Sequence, residues 1–350
     1  MSPQVSVVMT AYNSALFVGE AIQSILDQTL SDFELIIIDD CSSDDTPEII
    51  RSYGDRRVRV IRNEENLGIS RSRNIGLDTA RGRYVAAMDH DDISLPSRLA
   101  RQAEFLDTHS GVVLVATGTL LLENGHIRDY YPVVAAPHLL RWRLMTRCPI
   151  IHSSICMRLD TLRAHGIRYR AQYPCAEDFD LYHQLARVGD LACIPDRLTI
   201  YREHGANAST SQAALMNERG QAFLLDVYRD LVGADIGDRE VRLVWTVLTC
   251  RASAGSRGEL RELGSILMRV LERFLDRQAL TPHQEGEVRA AASRDWWSAV
   301  RTTAARHGPD VLSIYWDYPA LNDYRPSLTA VAASAARALA KAALSRLPAR

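Results

Sequence analysis

Residues 84–93 read YVAAMDHDDI, an apolar segment that runs directly into a cluster of acidic residues. A short, continuous apolar run predicts a β-strand buried on both faces, as in a parallel sheet. Neighbouring carboxylates repel each other unless a cation compensates them, and hard oxygen ligands favour Mg²⁺ or Mn²⁺, which also bind phosphate oxygens. The cluster at Asp89, Asp91 and Asp92 therefore indicates either a metal ion bound to a diphosphate or a solvated turn before the helix that begins near Pro96.

Strands and helices alternate through the first hundred residues. The pattern predicts strands at residues 5–9, 35–38 and 58–61 and helices at residues 15–28, 46–53 and 70–80. Alternation at this spacing implies parallel strands joined by right-handed crossovers, which form an α/β sandwich. Ligands of such sheets bind at the carboxyl ends of the strands, where this sequence places the polar residues 10–13, 39–40 and 89–92.

The rest of the chain is less regular and then becomes mostly helical. Local patterns predict a hairpin turn at Asn124-Gly125, a helix at residues 177–188 and a strand at residues 198–202. The helical pattern begins shortly after Ser209, and no internal repeat is evident. We therefore expect two domains, residues 1–209 and residues 210–350.

The composition argues against several classes of protein. The 350 residues carry 41 Lys and Arg against 43 Asp and Glu, a net charge of −2 that gives no electrostatic case for nucleic-acid binding. The six cysteines form no CxxC pair, so neither a zinc site nor a redox dithiol is indicated. The longest apolar stretch, residues 112–122, is well short of the ~20 residues that a membrane span needs, and no signal-like segment opens the chain. We expect a cytoplasmic protein that is at most peripheral to a membrane.

Two common nucleotide-binding motifs are absent from the sequence. A dinucleotide-binding fold would carry GxGxxG after its first strand, where this chain has residues 10–14, TAYNS. No Walker A sequence occurs either. A classical Rossmann dehydrogenase and a P-loop NTPase are therefore disfavoured.

A second acidic pair, Glu177-Asp178, stands at the predicted start of a helix. One interpretation is structural, because the helix dipole favours carboxylates in the first turn and keeps them ionised. The other is catalytic, since a carboxylate can remove the proton of an attacking hydroxyl. His204, in the loop after a predicted strand, could likewise ligate a metal, contact a phosphate or simply be exposed.

Several segments occur in an order that resembles family 2 glycosyltransferases with the GT-A fold. The matching segments are residues 5–13 (VSVVMTAYN), 33–46 (FELIIIDDCSSDDT), 66–76 (NLGISRSRNIG), 84–93, 177–178 and 201–209 (YREHGANAS). The resemblance covers roughly residues 4–210. It implies a Rossmann-like mixed sheet flanked by helices, followed here by a mainly helical extension for which no resemblance is found.

The resemblance also implies a nucleotide-diphosphate sugar donor bound across the strand ends. The positions that match the family's donor-binding segments are Thr10, Ala11, Tyr12, Asn13, Asp40, Arg73, Asp89 and Asp91. Tyr12 could stack on a pyrimidine, Asp40 matches the acid that accepts a hydrogen bond from the base, and Asn74 accompanies Arg73 near the nucleotide. A UDP- or dTDP-sugar is the favoured donor.

The catalytic and metal-binding positions follow from the same resemblance. Mn²⁺ or Mg²⁺ would bridge the diphosphate on Asp91, with Asp89 and His204 beside it, and Asp92 would orient Asp91. Asp178 matches the base of a single, inverting displacement, and Glu177 matches a helper that binds the acceptor. The helix terminus is expected to keep Asp178 ionised, so that its value lies in placement and not in a high pKa.

Acceptor and donor identity stay open at this level. No QxxRW motif and no run of membrane-spanning helices occur, which favours single addition over processive synthesis. The expected acceptor is a glycan or a lipid-linked glycan in cell-surface polysaccharide biosynthesis. The alternatives are a sugar nucleotidyltransferase, whose glycine-rich loop is absent from residues 10–14, and a catalytically inactive nucleotide-sugar-binding protein on the same fold.

The last residues form a basic, weakly apolar helical pattern. No acidic residue follows Asp323, whereas five basic ones do: Arg325, Arg337, Lys341, Arg346 and Arg350. The apolar face is predicted to hold Leu328, Val331, Ala335, Leu339 and Ala342, and the polar face Ser334, Arg337, Lys341 and Ser345. Such a helix can lie on an anionic membrane, or it can pack on its own domain.

Overall fold

One mixed β-sheet organises the amino-terminal part of the chain. This structure, a computed structural model, describes residues 2–130 and 133–344. The strands are β1 (Val5–Ala11), β2 (Phe33–Asp39), β3 (Val58–Arg62), β4 (Tyr84–Asp89), β5 (Ile93–Ser94), β6 (Val112–Glu123), β7 (His126–Asp129), β8 (Cys156–Arg158) and β9 (Asp190–Glu203). They lie in the order β3-β2-β1-β4-β8-β6-β9-β5, with β7 paired to β6.

The first four strands are parallel, as the alternating pattern predicts. Val5 of β1 lies opposite Phe33 of β2 and Tyr84 of β4, and β3 pairs with the other edge of β2. Every residue of β1 and β2 is buried. This confirms that the continuous apolar runs are strands covered on both faces.

Helices between these strands cover the sheet. They are α1 (Val18–Leu26), α2 (Thr46–Ser52), α3 (Ile69–Thr79) and α4 (Arg98–Thr108). Residues of α1, α2 and α4 form one core with Val7 and Met9 of β1, whereas α3 lies against Val8, which points to the opposite face. A Cβ atom at Gly76 would lie 2.2 Å from Cγ1 of Val8, so glycine is what allows α3 to approach the sheet this closely.

The sheet becomes mixed beyond β4, as the family resemblance implies. Strand β8 pairs antiparallel with both β4 and β6, and the long strands β6 and β9 run parallel to each other. The two residues of β5, which directly follow the acid cluster, pair antiparallel with β9. These pairings bring the acid cluster next to the end of β9.

The predicted hairpin joins β6 to β7. Asn124 and Gly125 have φ angles of 51° and 77°, the positive values that a tight two-residue hairpin turn of this kind requires.

After α5 (Pro137–Leu144) and α6 (Leu159–Ala164), the predicted helix at residues 177–188 is α7 (Glu177–Ala186). The predicted strand at residues 198–202 lies within β9.

The remainder of the described chain is helical, as expected. Its helices are α8 (Ala208–Ser211), α9 (Ala213–Val232), α10 (Asp238–Val244), α11 (Arg257–Arg277), α12 (Pro282–His307) and α13 (Leu328–Leu344). Among the residues described, no helix combines the length and apolar character needed to span a membrane. The chain divides into two compact units, one of residues 1–141 and 148–220 and the other of residues 142–147 and 221–350. The expected domain boundary at residue 209 stays a prediction.

The faces of α13 differ from those predicted. Leu328 and Leu339 are 88% and 58% exposed, whereas Ser334 and Ala338 are buried where α13 packs against α12. Burial of Ser334 is possible because its hydroxyl donates a hydrogen bond of 2.8 Å to the carbonyl of Ala330 within the helix. The predicted positions Ala342 and Ser345 lie outside the side chains that the structure describes.

Candidate active site

The polar residues at the strand ends lie side by side at one edge of the sheet. Thr10 of β1 is paired with Asp89 of β4, and the backbone N–H of Asp40 donates to the carbonyl of Ala11 at 2.9 Å. His90 Nδ1 lies 3.1 Å from the carbonyl oxygen of Thr10. The parallel register therefore assembles the three predicted clusters.

Tyr12 and Asn13 are the exposed side chains of the segment at residues 10–13. Tyr12 is 48% exposed, whereas Thr10 and Ala11 are buried. Asn13 takes a left-handed conformation with φ of 47°, and its side-chain oxygen accepts a hydrogen bond from the backbone of Ser43 at 2.8 Å. Tyr12 is therefore the aromatic surface that this segment presents to a ligand. Nucleotide contacts by all four residues of the segment stay a prediction.

Asp40 stabilises the loop that leads into α3. Its two carboxylate oxygens accept hydrogen bonds from the backbone N–H groups of Leu67 and Gly68, each at 2.9 Å. The amide of Asn63 donates a third bond at 2.7 Å. Asp40 is 4% exposed, so it is part of the structure as well as a candidate contact of the base.

Arg73 joins the acid at the end of β4 to the acid at the start of α7. Its two terminal nitrogens each lie 2.8 Å from a carboxylate oxygen, one of Asp89 and one of Glu177. Burial opposes ionisation of Asp89, but the positive charge of Arg73 and the hydrogen bonds from Arg73 and Ser153 together outweigh it and hold the Asp89 pKa well below its usual range. Arg73 is 6% exposed, and its predicted contact with the nucleotide remains untested. The second oxygen of Glu177, Oε2, is buried and has no hydrogen-bond partner among the described residues.

Asn74 bonds to the backbone of Tyr169 and not to the acids that Arg73 joins. Its side chain donates to the carbonyl of Tyr169 at 2.8 Å and accepts from the backbone N–H of the same residue at 3.1 Å. These two hydrogen bonds hold Tyr169, in the segment before α7, against Asn74 of α3.

The acid cluster is not a solvated turn, since Asp92 is 1% exposed. Burial, and then the charges of Asp91 and Asp89, raise the pKa of Asp92 well above its usual range. A protonated Asp92 can donate to the hydroxyl of Ser153, which it contacts, and that hydroxyl lies 3.0 Å from Oδ2 of Asp89. The other oxygen of Asp92 accepts a bond of 2.9 Å from the backbone N–H of Arg202. Asp92 thus ties the cluster to Ser153 and to the end of β9.

Asp91 and His204 meet at the end of β9. His204 Nε2 lies 3.0 Å from Oδ2 of Asp91, and the amide of Asn207 lies 3.2 Å from the same oxygen. The His204 ring also packs 4.5 Å from the ring of Phe17, centroid to centroid. His204 is therefore paired with the acid cluster, which the sequence pattern left open.

These side chains suit a metal that is shared with a ligand. No group of three or more His, Cys, Asp or Glu side chains in the described part of the chain is arranged to hold a metal ion by itself. Mg²⁺ and similar cations in nucleotide sites usually bind one or two carboxylates, with phosphate oxygens and water completing the shell. Asp91 and His204 offer such a partial set.

Asp178 has a different electrostatic environment from the one expected. It lies at the start of α7, where the helix dipole favours the ionised form. Burial and the negative charge of Glu177 outweigh the dipole and raise the pKa of Asp178 to about 7. The expectation that the helix terminus keeps it an ordinary weak base was therefore wrong, because the sequence does not reveal how far the carboxylate is buried.

Four further residues of the site have no sequence signal of their own: Ser153, His152, Arg202 and Asn207. Ser153 and His152 belong to the segment at residues 149–157, which carries no acidic residue and no motif that would mark it. Arg202 and Asn207 lie in the matched segment at residues 201–209 but draw attention only through their contacts with Asp91 and Asp92. The contact with Asp89 is what reveals Ser153.

Comparison with known proteins agrees with the fold. A fragment of S. aureus TarS crystallised with UDP-GlcNAc has a TM-score of 0.55 at 17% identity, covering 93% of this chain and 89% of that chain. The architecture is therefore of the GT-A type.

The sequence comparisons give the family. Residues 6–153 match the model described as Glycosyl transferase family 2. An uncharacterized glycosyltransferase of Haemophilus influenzae is 30% identical over 257 residues, which cover 67% of this chain and 77% of that protein. The protein WfaP of Escherichia coli, named as a UDP-Glc:alpha-D-GlcNAc-diphosphoundecaprenol beta-1,3-glucosyltransferase, is 29% identical and matches 59% of this chain and 80% of its own length. The chain belongs to glycosyltransferase family 2.

Proposed function

We propose that the protein transfers a sugar from a nucleotide-diphosphate donor to an acceptor hydroxyl by a single, metal-dependent, inverting displacement. The observation that carries this proposal is the Arg73 bridge, which holds a donor-side acid, Asp89, and an acceptor-side acid, Glu177, on one guanidinium. A displacement needs a base on one side of the sugar carbon and a stabilised leaving group on the other. The bridge supports such an arrangement.

On the leaving-group side, Asp91, Asp89 and His204 are the residues that would hold Mn²⁺ or Mg²⁺. Such a cation, when bound, would neutralise charge that develops on the departing diphosphate. Asp92 and Ser153 fix the backbone and carboxylate of this cluster through the contacts described above.

On the acceptor side, Asp178 takes the proton of the attacking hydroxyl. With a pKa of about 7 it is ionised in part of the molecules at neutral pH and is a stronger proton acceptor than an ordinary aspartate. The unpartnered Oε2 of Glu177 is available to accept a hydrogen bond from the acceptor.

A UDP-sugar is the donor that the relatives favour, with a dTDP-sugar as the close alternative. WfaP is named for UDP-Glc and TarS was crystallised with UDP-GlcNAc. In this chain, Tyr12 would stack on the pyrimidine and Asp40 would accept from its N–H, while the residues around Thr10, Ala11 and Asn13 would border the nucleoside.

A lipid-linked glycan in polysaccharide biosynthesis is the acceptor class that we propose. WfaP is named for a diphosphoundecaprenol-linked acceptor. The exposed Leu328 and Leu339 on α13, with Arg337 and Lys341 on the same helix, would suit contact with an anionic inner membrane surface from the cytoplasm. We retain residues 1–209 as the catalytic domain and residues 210–350 as a helical region that serves the acceptor or the membrane.

Turnover of defined donors tests the proposal. We expect the protein with Mn²⁺ to release nucleotide from a UDP- or dTDP-sugar and to prefer these to GDP-sugars in a panel. The anomeric configuration of the product, measured by NMR, should be inverted. Release of pyrophosphate from a nucleoside triphosphate and sugar 1-phosphate would indicate a nucleotidyltransferase instead, and donor binding without turnover would indicate an inactive binding protein.

Asp91→Asn tests the metal. It should abolish nucleotide release and weaken UDP binding in Mn²⁺, whereas Glu104→Gln, at an exposed acid of α4, should change neither. Full activity of the wild type in excess EDTA would contradict metal dependence.

A further inference from the structure

A buried histidine lies between two tyrosine hydroxyls, and the mechanism proposed above does not use it. His152 Nδ1 is 3.3 Å from the hydroxyl of Tyr182, and Nε2 is 3.3 Å from the hydroxyl of Tyr169. His152 is 7% exposed, and both tyrosines are buried. Burial, followed by the charge of Arg73, lowers the pKa of His152 to about 3, so the ring is neutral. A neutral imidazole has one donor and one acceptor nitrogen, and either tautomer can bond to both hydroxyls.

The Nδ1 side of His152 leads to the helix that carries the proposed base. Tyr182 follows Asp178 by four residues on α7, so the two side chains lie on the same side of the helix. The charge of Asp178 adds to burial in raising the pKa of Tyr182, which shows that they are close. The contact between His152 and the Tyr182 hydroxyl therefore links the histidine to the turn of α7 that follows Asp178.

The chain next to His152 leads to the donor side. The hydroxyl of Ser153 accepts a hydrogen bond of 3.2 Å from the backbone N–H of Asp89 and lies 3.0 Å from Oδ2 of that residue. His152 and Ser153 share one short 3₁₀ turn, His152–Ser154. The turn is thus bonded on one side to the end of β4 and on the other side to α7.

The Nε2 side of His152 leads to Arg73, which bonds to Glu177 at the start of α7, and not to the turn of α7 that carries Tyr182. The ring of Tyr169 lies 5.4 Å from the guanidinium of Arg73, and the Tyr169 backbone is held by Asn74. The two tyrosines therefore contact different parts of the site, which allows their contributions to be separated by experiment.

We propose that His152 is a positioning residue that, through Tyr182, fixes α7 and the carboxylate of Asp178 relative to the donor-side acids. The inference rests on the proposed transfer reaction and deepens it. Small displacements of a base from the attacking oxygen slow the chemical step, because a misplacement of about 1 Å can lower the rate on the order of 100-fold. His152 should therefore affect the rate of the chemical step and not the binding of the donor.

Two amide substitutions separate the two contacts of the ring. The amide of Asn can occupy the place of Nδ1, near Tyr182, whereas the longer Gln places its amide near Nε2, close to Tyr169. We expect His152→Gln to lower kcat for nucleotide release by roughly 10- to 100-fold, and His152→Asn to retain most of the wild-type rate. The assay uses the full chain with Mn²⁺ and whichever UDP- or dTDP-sugar the wild type turns over fastest. Calorimetric titration with UDP should give the wild-type Kd for both variants.

Tyrosine variants provide the matched control without changing the histidine. Tyr182→Phe removes only the hydroxyl bonded to Nδ1 and should reproduce the rate loss of His152→Gln, whereas Tyr169→Phe leaves the Nδ1 contact intact and should lower the rate less. A wild-type rate in Tyr182→Phe would overturn the inference. So would equal rate losses in His152→Asn and His152→Gln, if each rate loss is proportional to the loss in Tm of the same variant.

The reference reactions distinguish this inference from the function on which it rests. A wild type that releases no nucleotide from any donor contradicts the proposed function and this inference together. An active wild type, an inactive Asp178→Asn and a fully active His152→Gln contradict the inference alone.

Discussion

At the scale of single residues, Asp178 shows two opposing effects on one carboxylate. The helix terminus favours its charge, whereas burial and the neighbouring Glu177 disfavour it. Because Glu177 is also paired with Arg73, its charge is fixed in place beside Asp178. The raised pKa of Asp178 thus arises from an arrangement that spans α3 and α7.

The pH dependence of turnover follows from that pKa. We expect kcat for nucleotide release to rise through pH 7, with an apparent pKa of about 7, as Asp178 loses its proton. Asp178→Asn should lower kcat by at least ~100-fold with little change in UDP binding, since general base catalysis is typically worth 10²–10⁴-fold. Glu177→Gln should lower kcat less than Asp178→Asn does. It should also move the pH profile of kcat to lower pH, because it removes a negative charge beside Asp178. Near-normal turnover of Asp178→Asn with loss in Glu177→Gln would mean that the base is Glu177.

The same shift has a consequence for stability. The folded-state pKa of Asp178, about 7, lies above the ordinary value of 3.8, so between these pH values the folded protein holds a proton that the unfolded chain has lost. Asp178 therefore lowers the free energy of unfolding progressively as pH rises from about 4 to about 7. We expect Asp178→Asn to raise Tm relative to wild type at pH 8 and to change it little at pH 4. A Tm difference that is the same at both pH values would contradict the assigned pKa.

At the scale of elements, the loop between β3 and α3 depends on a side chain from the end of β2. Asp40 accepts hydrogen bonds from two backbone N–H groups of that loop, and Gly68, the residue before α3, takes a φ of 81°. Backbone donors that lose such a partner in a buried position are costly. The loop conformation and the candidate base contact are therefore coupled through one carboxylate.

Removing that carboxylate should loosen the loop as well as weaken nucleotide binding. We expect Asp40→Ala to lower the free energy of unfolding by at least about 2 kcal/mol, because it leaves three hydrogen-bond donors without their charged acceptor. Urea unfolding measures this loss, and hydrogen exchange should show faster exchange at Leu67 and Gly68. The exposed change Glu104→Gln serves as the control. Wild-type stability combined with lost UDP binding would show that Asp40 serves the ligand alone.

At the scale of the whole molecule, the exposed apolar side of α13 is a candidate contact surface. Leu328 and Leu339 lie eleven residues apart, which is three helical turns, and so occupy one side of the helix. Acidic residues are absent from the sequence after Asp323. A helix with exposed apolar side chains on one side and the basic Arg337 and Lys341 on the other is amphipathic, which suits an anionic lipid surface.

Vesicle binding tests this surface. We expect the protein to sediment with vesicles of phosphatidylcholine and phosphatidylglycerol, and less with phosphatidylcholine alone, because the basic residues favour anionic lipid. Leu328→Asp combined with Leu339→Asp should abolish sedimentation while leaving nucleotide release from a soluble donor unchanged. Equal sedimentation of the double variant and the wild type would show that α13 is not the contact.

Local sequence patterns are sufficient to predict the strands β1 to β4, the helices between them, the family and the position of the acids at the strand ends. Each of these depends on short-range patterns: apolar runs, turn residues and the order of local motifs. The parallel register then places residues 10–13, 39–40 and 89–92 together without further information, because carboxyl ends of parallel strands share one edge.

The pairing and the ionisation of those acids depend on contacts that form only when distant segments of the chain pack together. Arg73 and Glu177 are 104 residues apart, and Asp91 and His204 are 113 apart, so no local pattern specifies their contacts. The raised pKa of Asp178, the structural use of Asp40 and the buried Ser334 of α13 all depend on burial, which arises when distant segments pack. Ser153 and His152 belong to the site for the same reason, since an uncharged turn acquires its role only from the strand and the helix to which it is bonded.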